Sequence, residues 1–317
     1  MAELNRLNCI GDLKNVGFSE CFLDFLDIRG AIGVPPKKVF TKAELADLQN
    51  TLKTATTAAK SARIYPIHKF AGITDNSEDP VFFTAGYGKR RFVRKGNYIW
   101  LFQYFEGGIC LSNALQSIST STLRWLFYDA NGIIIGTKKD DGTGQYGLGG
   151  IPLDNFVPYD WKAGDGSNPT QYRVLFEFEG KYVNQQLGWT KAEGFDLEDI
   201  KGLQNINLEQ VGASAAGVIK LQAKAGCEGV NLYDTYDTEL AAAAMWVATN
   251  AAGLPITITS VVADAVNKAF TITLDSASPN YPANAADKVI INTAAASVLA
   301  AADVVGYEGL PITVNRG

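Results

Sequence analysis

One histidine in 317 residues, His68, excludes every site that needs two imidazoles and leaves a catalytic triad or facial metal site hanging on a single residue. Cysteine is nearly as scarce. Cys9, Cys21, Cys110 and Cys227 are scattered, with no C-x-x-C pair and no histidine partner, a pattern expected of reduced, half-buried thiols made in a cytoplasm. Long apolar runs are missing too: the longest, Leu240–Ala248, falls far short of the ~20 residues that span a bilayer. Met1-Ala2-Glu3-Leu4-Asn5-Arg6 carries charge where a secretory signal needs an apolar stretch, so no signal peptide and no membrane partner are expected.

Charge of one sign is not concentrated either. Residues 1–110 hold 15 Lys/Arg against 11 Asp/Glu (+4), residues 111–230 hold 10 against 14 (−4), and residues 231–317 hold 3 against 8 (−5). No segment has the excess of base that neutralises many phosphates, so DNA is not expected as a specific ligand. What the chain does have is apolar mass: 47% hydrophobic and 19% charged residues suffice for one large or two ordinary folded domains.

Residues 1–40 read as irregular, closed by Pro35-Pro36. Thr41-Lys42-Ala43-Glu44 has the form of a capping box, and Leu45, Leu48, Leu52, Ala55 and Ala59 keep helical spacing, which predicts an amphipathic helix over about 41–60. From Arg63 to Gln222 short aromatic and β-branched runs are cut by Gly, Asn and Asp, the chemistry of strands and turns. Three hairpins are predicted: Arg91–Lys95 with Tyr98–Phe105, Trp125–Tyr128 with Ile133–Ile135 across Asn131-Gly132, and Arg173–Phe178 with Lys181–Val183. Tyr98–Phe105 is apolar on both faces, as for a strand buried on each side. Val218–Ala223 predicts a further strand.

Residues 138–169, rich in Gly, Asp, Asn and Pro, predict a long arm. Thr235–Thr249 predicts a second helix through its alanine run. Beyond it Ile256–Thr259, Phe270–Leu274, Lys288–Asn292 and Pro311–Val314 are short alternating strands, which predict a small Ig-like β-sandwich over 255–317 with a boundary near 254. The fold class expected is mainly β: a sandwich or barrel with a flanking helix over 1–254, and the C-terminal module.

The chemistry-bearing motifs weaken on inspection. Gly142-Thr143-Gly144-Gln145-Tyr146-Gly147 matches a dinucleotide fingerprint in letters, but no helix can open on it before Pro152, so a loop is expected. Asp140-Asp141-Gly142 and Asp129-Ala130-Asn131-Gly132 resemble pieces of calcium loops without the closing glutamate. Cys110 lies outside any nucleophile signature, His68 reads as a structural histidine, and Glu177 with Glu179 form at most a carboxylate pair beside a turn. No catalytic residue, cofactor or metal is therefore expected.

Lys89, Arg90, Arg91, Arg94 and Lys95 form the one dense basic patch, followed by Tyr98, Trp100, Phe102 and Tyr104. Basic and aromatic residues in alternation suit single-stranded nucleic acid. Strand alternation would however put the charge on both faces, which favours contact with an acidic neighbouring subunit. With Lys138, Lys139, Asp140 and Asp141 of the arm, these are the candidate subunit-contact residues.

Several strings carry a family resemblance. Leu7-Asn8-Cys9, Lys14-Asn15-Val16-Gly17, Cys21, Asp75-Asn76-Ser77-Glu78-Asp79-Pro80, Gly86-Tyr87-Gly88 and Gly107-Gly108-Ile109-Cys110-Leu111 are similar to structural proteins of tailed bacteriophages and prophages of Bacteroidetes-type hosts. Ser297–Gly309 resembles the end of Ig-like modules attached to such proteins. Within that group the tail tube is the nearest architecture. The resemblance implies a non-enzymatic virion subunit, made in the host cytoplasm, forming stacked hexameric rings with itself and other virion proteins around passing DNA. A capsid-associated or head-decoration protein is the alternative in the same class. From another class, the five Trp and thirteen Tyr leave a carbohydrate-binding or carbohydrate-processing protein open.

Overall fold

A computed structural model describes residues 27–105, 108–142, 144–167, 169–179 and 187–317, and the chain divides into two units at Gly202/Leu203. The protein is mainly β, as expected. In the first unit β1 (Ile28–Val34) and β2 (Val39–Phe40) lead into α1 (Lys42–Ala46) and α2 (Leu48–Thr56). There follow β3 (Tyr65–Ile67), β4 (Phe70–Asp75), β5 (Val81–Thr84), β6 (Arg90–Arg94), β7 (Tyr98–Tyr104) and α3 (Gly108–Ile118). The unit closes with β8 (Arg124–Asp129), β9 (Ile133–Asp140), β10 (Tyr146–Gly149), β11 (Leu153–Lys162), β12 (Gln171–Phe178) and β13 (Leu187–Lys191).

Two sheets do the packing. The first runs β2-β10-β9-β8-β1-β3, with β13 joined to β9; the second runs β11-β12-β7-β4. Alternation along β8 assigns its residues to two cores. Trp125 and Phe127 face the second sheet and meet Phe102, Val174, Phe176 and Phe178. Leu126 and Tyr128 face the other way, against Leu45, Leu48 and Leu52 of the helices and Leu197 and Ile200. The unit is thus layered as α1 and α2, first sheet, second sheet, with Leu115 of α3 reaching the core between the sheets. On the second sheet Leu101, Gln103, Arg173, Leu175 and Glu177 alternate with the core residues and so lie on the far face.

The capping box is formed as read: Glu44 N–H donates to Thr41 Oγ1 at 3.3 Å and Thr41 N–H to Glu44 Oε2 at 2.8 Å. The helix is shorter than expected, breaking at Asp47 (φ −122°, ψ 55°) and ending at Thr56. The Asn131-Gly132 hairpin also forms, with Phe127 opposite Ile135 and Gly132 at φ 76°.

Other expectations are corrected. Ile28–Val34, read as irregular, is a strand sandwiched between β3 and β8. Its glycine at 30 answers a steric need, because a Cβ there would overlap the Tyr128 hydroxyl and the Ile67 carbonyl. Arg91–Lys95 does not pair with Tyr98–Phe105: β6 pairs with β5, while β7 lies between β4 and β12. β7 accordingly buries only its Trp100, Phe102 and Tyr104 face. Most of the supposed arm 138–169 is strand, since β9 and β10 pair through Lys138–Asp140 and β11 pairs with β12. Pro158 is tolerated in β11 because that strand is the sheet's edge. Residues 108–118 form a helix that composition did not announce, burying Leu115. The third predicted hairpin reaches residues 180–186, outside the described residues.

The second unit carries β14 (Gln204–Gln210), β15 (Val218–Ala225), β16 (Val230–Asn231), α4 (Tyr233–Tyr236), β17 (Trp246–Asn250) and β18 (Pro255–Ile256). It continues through β19 (Ile258–Asp264), β20 (Ala269–Leu274), β21 (Lys288–Thr293), α5 (Ala296–Ala301), β22 (Tyr307–Gly309) and β23 (Ile312–Asn315). Sheets β19-β20-β15-β14-β22 and β18-β17-β21-β23 enclose one core. That core joins Ile219 and Trp246 to Phe270, Ile291 and Val314, so the unit begins at Leu203 and not near 254. Instead of a helix over 235–249 the chain forms the single turn α4 and then β17, whose Trp246 indole N–H donates to Leu240 O at 2.7 Å.

Candidate functional site

The basic patch sits on a hairpin that belongs to neither core. β5 and β6 form a separate two-stranded sheet, pairing Phe82 with Phe92, Phe83 with Arg91 and Thr84 with Arg90. The turn closes through Ala85 N–H to Lys89 O at 3.0 Å and Gly88 N–H to Ala85 O at 2.8 Å, with Gly88 at φ 76°. At its root, Asn76 N–H to Ile99 O and Glu78 N–H to Asn97 O, both 2.9 Å, prolong the β4–β7 ladder. The hairpin therefore extends from the end of the second sheet.

Every residue of β5 and β6 is exposed, including Phe83 at 62% and Phe92 at 57%; Tyr87 at the tip is 98% exposed. Arg90 lies over the Phe82 ring at 5.2 Å, and Phe82 meets Phe92 edge-on at 6.0 Å. Arg94 pairs with Glu78 at 3.1 Å, both side chains about half exposed; such a pair contributes about 0–1 kcal/mol. Base falls on both faces, as alternation required. Sequence reasoning missed β5 and the Phe82, Phe83 and Tyr87 group. The run Val81-Phe82-Phe83-Thr84 ahead of Gly86-Tyr87-Gly88 was the available signal. The aromatics assigned to the patch, Trp100, Phe102 and Tyr104, belong to the core instead.

The second candidate set lies elsewhere, on the first sheet. Lys138 and Lys139 are in β9, with the Lys138 ammonium over the Tyr146 ring at 4.1 Å. Asp140 Oδ1 accepts from Gly142 N–H at 2.8 Å and Gly144 N–H at 3.3 Å, and Asp141 N–H donates to Gln145 O at 2.9 Å. The first two glycines of the G-x-G-x-x-G string thus belong to a strand-to-strand turn, with Gly142 at φ 87° and Gly144 at φ 79°, while Gly147 lies in β10 opposite Lys139. No helix opens there, and the mechanism of phosphate binding at a helix N-terminus has no place to act.

His68 ties segments together. Its Nε2–H donates to Ile200 O at 2.7 Å, so Nδ1 is the acceptor for the Tyr128 hydroxyl. Burial holds the imidazole below the ordinary histidine value, outweighing the Ile200 carbonyl and the carboxylates of Glu198 and Asp196, which act upward. Burial likewise raises the Tyr128 phenol far above its usual range. A histidine whose folded-state pKa is depressed stabilises the fold fully above the unfolded value of ~6.5, and that stability is lost as pH falls below it. Urea midpoints are therefore expected to fall between pH 7 and pH 5.5, and His68→Gln, which keeps a donor and an acceptor, to flatten that slope. An unchanged slope would remove His68 as the cause.

The remaining candidates resolve as structure. Glu177 is clamped by the amides of Asn97 at 2.9 Å and Asn155 at 2.6 Å rather than held free as half of a carboxylate pair. Cys110 and Cys227 are both disulfide-bonded, which corrects the expectation of reduced thiols. Among the described residues no group of three or more His, Cys, Asp or Glu could hold a metal ion, and no helix is long and apolar enough to cross a membrane.

An acidic surface lies on the helix side of the first sheet. Between Lys191 and Lys201, Glu193, Asp196, Glu198 and Asp199 occur with no basic residue. Leu197 and Ile200 anchor this segment into the core beneath the helices, leaving Glu193, Asp196 and Asp199 exposed. Asp196 Oδ1 accepts from Glu198 N–H at 2.9 Å and closes the local turn. Nearby in the same layer, Pro35, Thr51, Thr54, Ala55 and Ala58 line an open groove. No protein-family model, curated protein or solved structure matches this chain.

Proposed function

We propose that this chain is a non-enzymatic structural subunit of a tailed-bacteriophage virion: the tail tube protein, whose copies stack as hexameric rings around a conduit for DNA. The observation that carries the reading is the β5–β6 hairpin, which exposes Phe82, Phe83, Tyr87, Phe92 and Val93 beside five basic residues. A two-stranded hairpin is marginal by itself in water, and an exposed apolar patch of this kind marks a surface made for another chain. The second sheet adds to it: β4 and β11 are its outer strands, each paired on one side only among the described residues. Sheet edges joined between copies would close a ring and remove the open hydrogen-bonding rows that otherwise invite aggregation. The Ig-like character of the second unit, the partnership with other virion proteins and the place in the tail belong to the same reading.

Negative-stain microscopy of the purified full chain across a concentration series tests it directly. Rings or tubes are expected, and tail labelling when virions are decorated with antibody to the chain. A protein that sediments as a monomer at every concentration, or that labels heads alone, would sink the tube assignment.

A further inference from the structure

Two surfaces of the first unit complement each other in charge and lie on opposite sides of its first sheet. The hairpin, with Lys89, Arg90, Arg91, Arg94 and Lys95 and no acidic residue from Val81 to Lys95, grows from the second sheet. The acidic segment, with four carboxylates between Lys191 and Lys201, packs on the helix side through Leu197 and Ile200. None of the ion pairs formed by the described residues uses Arg90, Arg91, Glu193 or Asp199.

We infer that the hairpin of one copy docks on the Glu193–Asp199 segment of the next copy, head to tail. This rests on the reading of the chain as a self-assembling subunit and names the contact. A second copy is the occupant favoured by the charges, since opposite potentials across an interface select the partner and fix its register. A nucleic acid strand would need the base gathered on one face, whereas Arg90 and Phe92 share a face opposite Arg91 and Val93. An anionic lipid surface would meet Asp75, Glu78 and Asp79 at the hairpin's root. Donor and acceptor surfaces that differ make a heterologous contact, and repeating it gives a closed ring or an open filament rather than an isolated dimer.

The test is a charge exchange in the full chain. One variant carries Arg90→Glu and Arg91→Glu; the other carries Glu193→Lys and Asp199→Lys, leaving Asp196 to cap its turn. Each is expected to raise the concentration at which sedimentation velocity detects assembly by about tenfold or more, since like charges then face each other. Circular dichroism and urea midpoints should match the parent, because all four positions are exposed. An equimolar mixture of the two is expected to assemble again, each reversed hairpin meeting a reversed segment. The inference is overturned if either variant assembles like the parent, or if both fail and the mixture does not recover. It is also overturned if the parent hairpin cosediments with phosphatidylserine vesicles or a single-stranded oligonucleotide while the reversals leave assembly intact. A parent that never assembles refutes the self-assembly reading itself, which separates the two failures.

Discussion

Ending the chain after Leu254 is expected to leave residues 203–254 unfolded. Their core is closed by strands beyond that point: β15 pairs with β20 from Val218 opposite Thr273 to Leu221 opposite Phe270, and β17 pairs with β21 from Trp246 opposite Thr293 to Asn250 opposite Val289. The cut removes Phe270, Ile272, Ile291, Leu299 and Val314, all buried against Ile219, Leu221 and Trp246. At about 1.5–3 kcal/mol for each large apolar side chain, the loss approaches the whole stability of an ordinary domain, about 5–15 kcal/mol. Hydrogen exchange should find no protection across Val218–Ala225 in the truncated chain. The fragment 203–317, carrying Cys227→Ser so that its one cysteine does not pair between molecules, should melt in a single cooperative step. Protected amides in β15 after the cut would show that the unit has two cores.

Phe176→Ala is expected to cost about 3–5 kcal/mol, the range for deleting a fully buried aromatic side chain. Phe176 is 0% exposed at the centre of the packing between the two sheets of the first unit. Its ring lies 5.1 Å from each of Trp125, Phe127 and Phe156, and 5.5 Å from Phe102. Offset and edge-on contacts of this kind add to the area buried, and no neighbouring backbone can collapse into so large a void without moving both sheets. The denaturant midpoint of the first unit should fall at unchanged slope, with Phe176→Leu recovering part of the loss. A change below about 1 kcal/mol would mean that this cluster does not hold the sheets together.

How legible the molecule was depends on the range of the forces involved. The Thr41–Glu44 box and the Asn131-Gly132 turn are contacts within four residues, and both could be read directly. Ile28–Val34 was read as irregular, yet it is a strand, and its Gly30 and Gly33 leave room for Tyr128, Leu123 and Trp125, which lie against them from distant parts of the chain. The alanine run of 241–244 argued for a helix, yet the adjoining Trp246–Asn250 gains a ladder with Lys288–Thr293, and that pairing outweighs propensity. Glycine and aspartate made 138–169 look like an arm, although Asp140, Gly147, Gly149 and Asp154 lie within β9, β10 and β11, where the ladder to a neighbouring strand outweighs their low strand propensity.

The candidate site divides the same way. Lys89, Arg90, Arg91, Arg94 and Lys95 were visible as a charge cluster, and alternation alone already required charge on both faces. That the hairpin stands outside both cores of its unit was not visible, because β6 pairs backwards with Val81–Thr84 and not forwards with Tyr98–Tyr104. By itself the sequence determined the mainly β class, the Thr41–Glu44 cap, the Asn131-Gly132 turn, the shortage of catalytic groups and the basic cluster at 89–95. Only the tertiary structure decided which strand pairs with which, where the units divide, and that basic hairpin and acidic segment lie on opposite sides of the first sheet. Period-two alternation assigns a side chain to a face, but the neighbour that covers the face is brought in by contacts distant along the chain.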